Sequence, residues 1–405
     1  MHRKPARSRR DRPIRAIMVA IHRWTALALG LALVIETTCG AAALYQPEWF
    51  RATHSWFYQH TPSEHPISLH TALDVVAAAH PAFHPAWVSE DGGVYAVGDA
   101  GQTLAYSVDP GSGRINGVAA LHDGVMGFIV NLHECALTCA GYPGYLAALA
   151  RPAPGVGISW GHAVLAVLGL FLVLLAISGA ITWWPSIRRL AHGFRVRWRR
   201  SRFARDYDLH KLIGIVAVLF LLMWGITSSS TELPAVHNAW LTMTGGTAVD
   251  PNRYVFVARP APAGATEINA DQAAGIAARQ VPAQVVWVSL PQGDAGSAYY
   301  TVWLDRSYAP YRYEAFFGGD STVFVDARQP GHVSVVDDSG QPAANAFYDQ
   351  VLRPAHFGWM VNGWWRIGWF AFGMTPLLLM ITGLSTWLIR RGARRRRERA
   401  RASVN

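Results

Sequence analysis

Four long apolar runs dominate the hydrophobic pattern of the chain. They cover residues 17–45, 158–184, 209–231 and 364–389. A helix needs about 20 apolar residues to cross the hydrocarbon core, so each run predicts one membrane span. The runs divide the chain into a basic N-terminal segment 1–16, a long connection 46–157, a short loop 185–208, a second long connection 232–363 and a tail 390–405.

The two long connections follow another rhythm. Residues 67–80 predict an amphipathic helix, and alternating segments follow around 87–97 and 104–108. The turn Asp109-Pro110-Gly111-Ser112-Gly113-Arg114 closes that set. The second connection repeats the order, with a helix over 268–279, strands over 285–290, 299–304 and 323–325, and the turn Asp326-Ala327-Arg328-Gln329-Pro330-Gly331. Period-two alternation bounded by turn residues reads as strand. The order span, α+β segment, span thus occurs twice, which predicts an internal duplication. Both halves start on the same side, so the repeat is parallel. The expected fold class is a membrane protein: a four-transmembrane-helix bundle carrying two α+β domains on one face.

Charge sets the orientation. The chain carries a net +10, which raises the question of nucleic acid. Distribution argues against it. Residues 1–20 hold seven Lys or Arg, residues 185–208 hold eight and residues 390–405 hold eight, out of 36 in the chain. Each cluster adjoins an apolar run, where basic residues collect on the cytoplasmic side and meet the lipid surface. Both termini and the 185–208 loop are therefore expected inside, and the two long connections outside. The stretch 14–44 is too long for a signal peptide and is interrupted by His22, Arg23 and Glu36, so it reads as a retained helix.

Ionisable residues at membrane depth are costly and tend to be functional. Of sixteen histidines, four recur in one local context. His22 and His210 lie at the inner ends of the first and third spans. His133 and His356 close the two outer segments just before the second and fourth spans. This gives one pair per membrane face. Two imidazoles from two helices supply both axial ligands of a haem iron, which favours electron transfer over dioxygen chemistry. Helix capping or snorkelling is the competing structural reading for any one of them. His162 is a rival outer ligand without a counterpart. His54, His60, His65, His70, His80 and His84 read as surface residues, and His192 as solvated.

Arg23 and Lys211 each follow an inner histidine, where they would neutralise propionates or anchor helix ends. Glu36 lies deep in the first span; hydrogen bonding to neighbouring threonines is the plainer expectation, a haem contact or proton relay the other. The small pairs Cys39-Gly40, Ser178-Gly179, Thr227-Ser228 and Thr382-Gly383 permit close approach of helices or of a flat macrocycle. Trp183, Trp184, Trp364, Trp365 and Trp369 fit an interfacial belt. Cys39 reads as a packed thiol. Cys135 and Cys139 allow a disulfide, though a helical i,i+4 pair suits one poorly. The chain contains no Cys-x-x-Cys-His motif for covalent haem attachment. Gly111 and Gly113 belong to a turn and not to a phosphate loop.

At these residues the chain resembles the PepSY-associated transmembrane family of bacterial iron-regulated inner-membrane proteins. The resemblance rests on His22-Arg23-Trp24, Leu132-His133, Ile177-Ser178-Gly179 through Trp184, Asp208-Leu209-His210-Lys211-Leu212-Ile213-Gly214, His356-Phe357-Gly358 and Thr382-Gly383. It covers nearly the whole chain. The resemblance implies a siderophore reductase with two PepSY modules in the periplasm. Electrons would come from an unidentified cytoplasmic or membrane donor and reduce a ferric siderophore, because ferrous iron binds hard oxygen chelators weakly. It also implies two b-type haems, with His22, His210, His133 and His356 as iron ligands. The chain departs from the family at Glu134, where a basic residue is usual, and at its Cys pair.

Two other functions compete. Such domains are also associated with restraining peptidases, and the spans would then be anchors; an anchor does not need matched histidines. A siderophore or peptide transporter would need more polar or broken spans, whereas the only proline inside these runs is Pro376.

Overall fold

The computed structural model describes residues 11–184, 190–260, 264–292, 298–306, 321–337, 340–358 and 364–403. Part of each of the first two basic clusters, together with the side chain of His192, lies outside the described residues.

The chain opens with helix α1 (Asp11–Ala43), followed by α2 (Gln46–Thr53) and α3 (Leu69–Ala79). Four strands come next: β1 (Trp87–Asp91), β2 (Val94–Gly98), β3 (Leu104–Val108) and β4 (Ile115–Ala120). Helices α4 (Gly124–Cys135), α5 (Trp160–Trp183), the single turn α6 (Leu190–Gly193), α7 (Arg202–Glu232) and α8 (Pro234–Met243) lead to α9 (Ala270–Gln280). The second strand set is β5 (Gln284–Ser289), β6 (Tyr299–Asp305), β7 (Ser321–Asp326) and β8 (Val333–Val336). The chain closes with α10 (Ala343–Phe347), α11 (Arg353–His356), α12 (Trp365–Gly373) and α13 (Thr375–Ala402).

Four helical stretches are long and apolar enough to cross a membrane: α1, α5, α7 and the α12–α13 pair. Their limits follow from local chemistry. Ser159 caps α5 by accepting from the His162 amide, and Ser201 caps α7 by accepting from the Ala204 amide. The Ser201 cap starts α7 before residue 209, where the apolar run begins. The fourth span breaks at Met374, because Pro376 lacks an amide hydrogen and its ring crowds the carbonyl four residues back. Helices α5 and α7 cross closely at Gly169 and Gly225. A Cβ at Gly169 would lie 2.8 Å from the Ser229 nitrogen and 3.0 Å from the Gly225 oxygen.

The strands form one eight-stranded sheet in the order β4-β3-β2-β1-β5-β6-β7-β8. All pairings are antiparallel. The expectation of two outer modules therefore meets a shared element: β1 pairs with β5, with Val88 opposite Val288 and Ser89 opposite Trp287. The stretch 87–97 is not one strand but a hairpin, turned by Gly92 and Gly93 at φ +58° and +88°. Val88, Val97, Val108, Val288, Val302 and Val325 on one face bury against α3 and α9. Each such side chain stabilises the fold by about 1.5–3 kcal/mol. On the other face Trp87 stacks on Trp287 at 4.0 Å.

Asp109 and Asp326 hold the two predicted turns. Burial disfavours the charged form of Asp109, yet hydrogen bonds from Ser112, Thr61 and Gly111 outweigh it and hold the carboxyl well below its ordinary range. Asp326 is lowered in the same way: burial opposes, and the amides of Arg259, Arg328 and Gln329 prevail. The end of the bundle carrying the sheet is termed the outer end, and the opposite, basic end the inner end.

Candidate functional site

The inner end of the bundle brings His22 and His210 together. His22 projects from α1 toward α5, where its Nδ1 lies 3.1 Å from the Leu175 carbonyl and 3.1 Å from Ser178 Oγ. His210 projects from α7 toward α13, with Nδ1 3.1 Å from the Leu379 carbonyl and 3.1 Å from Thr382 Oγ1. A carbonyl only accepts, so each Nδ1 carries the proton and each Nε2 keeps a lone pair for a ligand. The next residue is glycine in both partners. A Cβ at Gly179 would stand 3.2 Å from His22 Cε1, and one at Gly383 the same distance from His210 Cε1. The two rings lie 6.1 Å apart between centroids, with their planes at 88°.

The outer end brings together His133, from α4, and His356, from α11. Their centroids are 6.3 Å apart and the planes tilt by 37°. Here the supports differ. His133 Nδ1 lies 2.8 Å from the Glu36 carboxylate and 3.1 Å from the Glu36 carbonyl. His356 Nδ1 lies 2.6 Å from Thr227 Oγ1. The Thr227 hydroxyl already donates to the Met223 carbonyl at 2.7 Å, so it accepts from the imidazole. Gly40 makes room for His133: a Cβ there would come within 2.4 Å of its Cε1.

A cavity of about 650 Å³, counting its open mouth, surrounds the outer pair. Leu172, Gly169, Trp224, Trp369 and Gly373 line it together with both histidines. Gly40 follows His22 by 18 residues of continuous helix, so the two pairs are separated by about 27 Å along α1. Among the described residues, no group of three or more His, Cys, Asp or Glu gathers to hold a metal ion. A metal taken up by either pair must therefore bring further ligands of its own.

Other sequence candidates fall elsewhere. His162 joins neither pair; its Nδ1 meets Glu232 at 2.6 Å across α5 and α7. Glu36, expected to bond threonines, holds His133 instead. Arg23 is exposed and stacks over Trp24. Lys211 lies over Tyr207, 3.9 Å from Asp208. Trp184, Trp364 and Trp365 are exposed as in a belt, but Trp183 is buried beside Phe194. Trp369 turns inward and donates to the carbonyl of Ala355, the residue before His356. Cys135 and Cys139 are disulfide-bonded, because the backbone leaves the helix at Ala136 (φ 46°) and Leu137 (φ 65°) and turns Cys139 back. Cys39 is free. His54, His60, His65, His70, His80 and His84 all lie at least partly exposed.

The sequence reading missed Trp224 and the Gly169–Gly225 crossing. It had no signal for Thr227 as a histidine partner beyond a small residue in an apolar run.

The family described as the PepSY-associated TM region matches residues 19–390 of the chain. An uncharacterized protein of Pseudomonas aeruginosa is 28% identical over 260 residues, which is 58% of this chain. The match spans 60% of that relative's own length.

Proposed function

Because the chain belongs to the PepSY-associated TM region family, we propose that it is a di-haem electron-transfer protein of the bacterial inner membrane. It passes single electrons from an inner donor to a ferric siderophore on the periplasmic side. The reduced iron is then released, since ferrous iron binds hard oxygen donors weakly.

One observation carries the reading: two facing imidazole pairs, each ring fixed through Nδ1 with Nε2 left to bind. Two imidazoles on one metal, each nitrogen about 2 Å from it, set ring centroids about 6 Å apart. The observed separations are 6.1 and 6.3 Å. With two protein donors per site, the remaining coordination positions suit a macrocycle that supplies its own nitrogens. When bound, b-type haem would supply reversible one-electron exchange at iron. His22 and His210 would hold the inner group, and His133 and His356 the outer one. Leu175, Ser178, Leu379 and Thr382 fix the inner tautomers; Glu36 and Thr227 do so outside.

The matched anchoring of His22 and His210 supports an internal duplication. The basic clusters support cytoplasmic termini and a periplasmic sheet. The test is an absorption spectrum with haem quantification on wild type, His22→Ala and His356→Ala. Each variant is expected to lose mainly one of two haems. A colourless, folded wild type from haem-replete cells overturns the reading and leaves a membrane-anchored PepSY protein.

A further inference from the structure

The four histidines differ in what grips the far nitrogen. His22 and His210 each face a neutral carbonyl and a neutral hydroxyl. His356 faces the Thr227 hydroxyl. His133 alone among the four is held by a carboxylate, that of Glu36 at 2.8 Å. Both side chains are largely buried, at 22% and 16% exposure, so water screens their interaction weakly.

A carboxylate on Nδ1–H draws that proton toward itself and makes Nε2 a more basic donor. A more basic donor stabilises the higher charge on a bound iron more than the lower one. Second-shell hydrogen bonding of this kind is one of the protein's levers on redox potential. A neutral amide or hydroxyl in the same place would not do this to the same degree.

Resting on the haem reading above, we infer that Glu36 is a positioning residue that makes the outer iron the more reducing of the two. This fits the outer site to ferric chelates whose ferric state is strongly held, meaning those with anionic oxygen donors. The inner-to-outer step is then uphill in potential alone. It moves a negative charge from the negative inner side to the positive outer side, so the transmembrane potential drives it. Electron balance is simple: one electron enters from the donor and one leaves to Fe(III), giving Fe(II), with no bond to carbon made or broken.

The test is a spectroelectrochemical titration of the purified, haem-loaded protein. Wild type should show two waves. His22→Ala identifies which wave belongs to the outer site, and this should be the lower one. Glu36→Gln keeps the chain length and an acceptor oxygen but removes the charge, and should raise the outer wave while leaving the inner wave in place. An unmoved outer wave with both haems retained overturns the inference, and so does an inner wave below the outer one in wild type. Loss of the outer haem in Glu36→Gln also overturns it, since Glu36 would then serve attachment and not tuning. If that variant does not fold, Glu36→Asp decides: it keeps the charge on a shorter side chain, so the weakened contact with His133 should raise the outer wave and leave the inner wave in place, and an unmoved outer wave overturns the inference. A wild type without haem fails the proposed function itself, which is a separate outcome.

Discussion

His22 and His210 are held by the same set of contacts, a leucine carbonyl, a Ser or Thr hydroxyl and an adjoining glycine. His133 and His356 share a mutual distance with them but not their supports. The reason lies in the elements. The inner histidines stand on the long membrane helices α1 and α7, and each reaches across to its own partner span, α5 for His22 and α13 for His210, so a local pattern on one half is reproduced on the other. The outer histidines stand on the short helices α4 and α11, which come down from the sheet onto α1 and α7. What each meets there depends on the helix it reaches: Glu36 on α1, Thr227 on α7. The inner end is thus built by repetition, and the outer end is where the halves are free to differ.

The largest effect should come from Gly40→Leu. No side chain fits against His133 at that position, so the variant is expected to lose the outer haem completely and retain the inner one by pyridine haemochrome assay. Equal loss from both ends would break the comparison. Next come Ser178→Ala and Thr382→Ala. Each removes one of two Nδ1 partners, and loss of such a support typically lowers affinity about 10–100-fold. With the carbonyl left, the lower end of that range is expected, measured as haem retained against apo-protein competition. The two variants should match each other; a large inequality would show that the inner ends are not equivalent.

A third test separates the ends through the sheet. Asp109→Asn weakens a buried, four-fold hydrogen-bonded carboxylate and should cost about 1–3 kcal/mol of sheet stability. The folded carboxyl sits below its ordinary range. Its stabilisation is therefore fully present above the unfolded value of about 3.9 and is lost as pH falls below that. Thermal denaturation followed at several acidic pH values should show wild type losing its advantage over the variant. The outer haem band should respond before the inner one. Fourth, the ring planes differ: 88° inside and 37° outside. Perpendicular axial imidazoles give the more anisotropic low-spin EPR signal, so His22→Ala should abolish that signal and leave the more rhombic one. The smallest effect is expected for His162→Ala, which should leave haem content unchanged. Loss of a haem there would move the outer ligand set to another residue.

Much of this was legible in the chain. The spans could be read because apolar runs of membrane length are rare, and His22 and His210 stood out as ionisable residues at the ends of such runs. The supports of the outer pair could not be read. Glu36 and His133 are 97 residues apart, and no local periodicity reports which face of α4 settles on α1. Trp224 looked like any aromatic residue in an apolar helix until the fold placed it in the cavity wall. The hairpin at Gly92 and Gly93 sat inside what looked like one alternating stretch. The β1–β5 pairing was invisible because strand partners about 200 residues apart leave no short-range mark in the sequence, as Ser89 and Val286 show at a separation of 197.

That pairing bears on how the molecule is made. Val88 meets Val288, so two membrane crossings and the loop between them must be threaded before the sheet can close. Until the third span is in place and β5 has reached the sheet, β1 keeps one bare rim of amide and carbonyl groups. Such distant partners also close slowly. Biogenesis therefore has a vulnerable interval set by the speed of membrane insertion, during which an incomplete first half is open to aggregation and proteolysis.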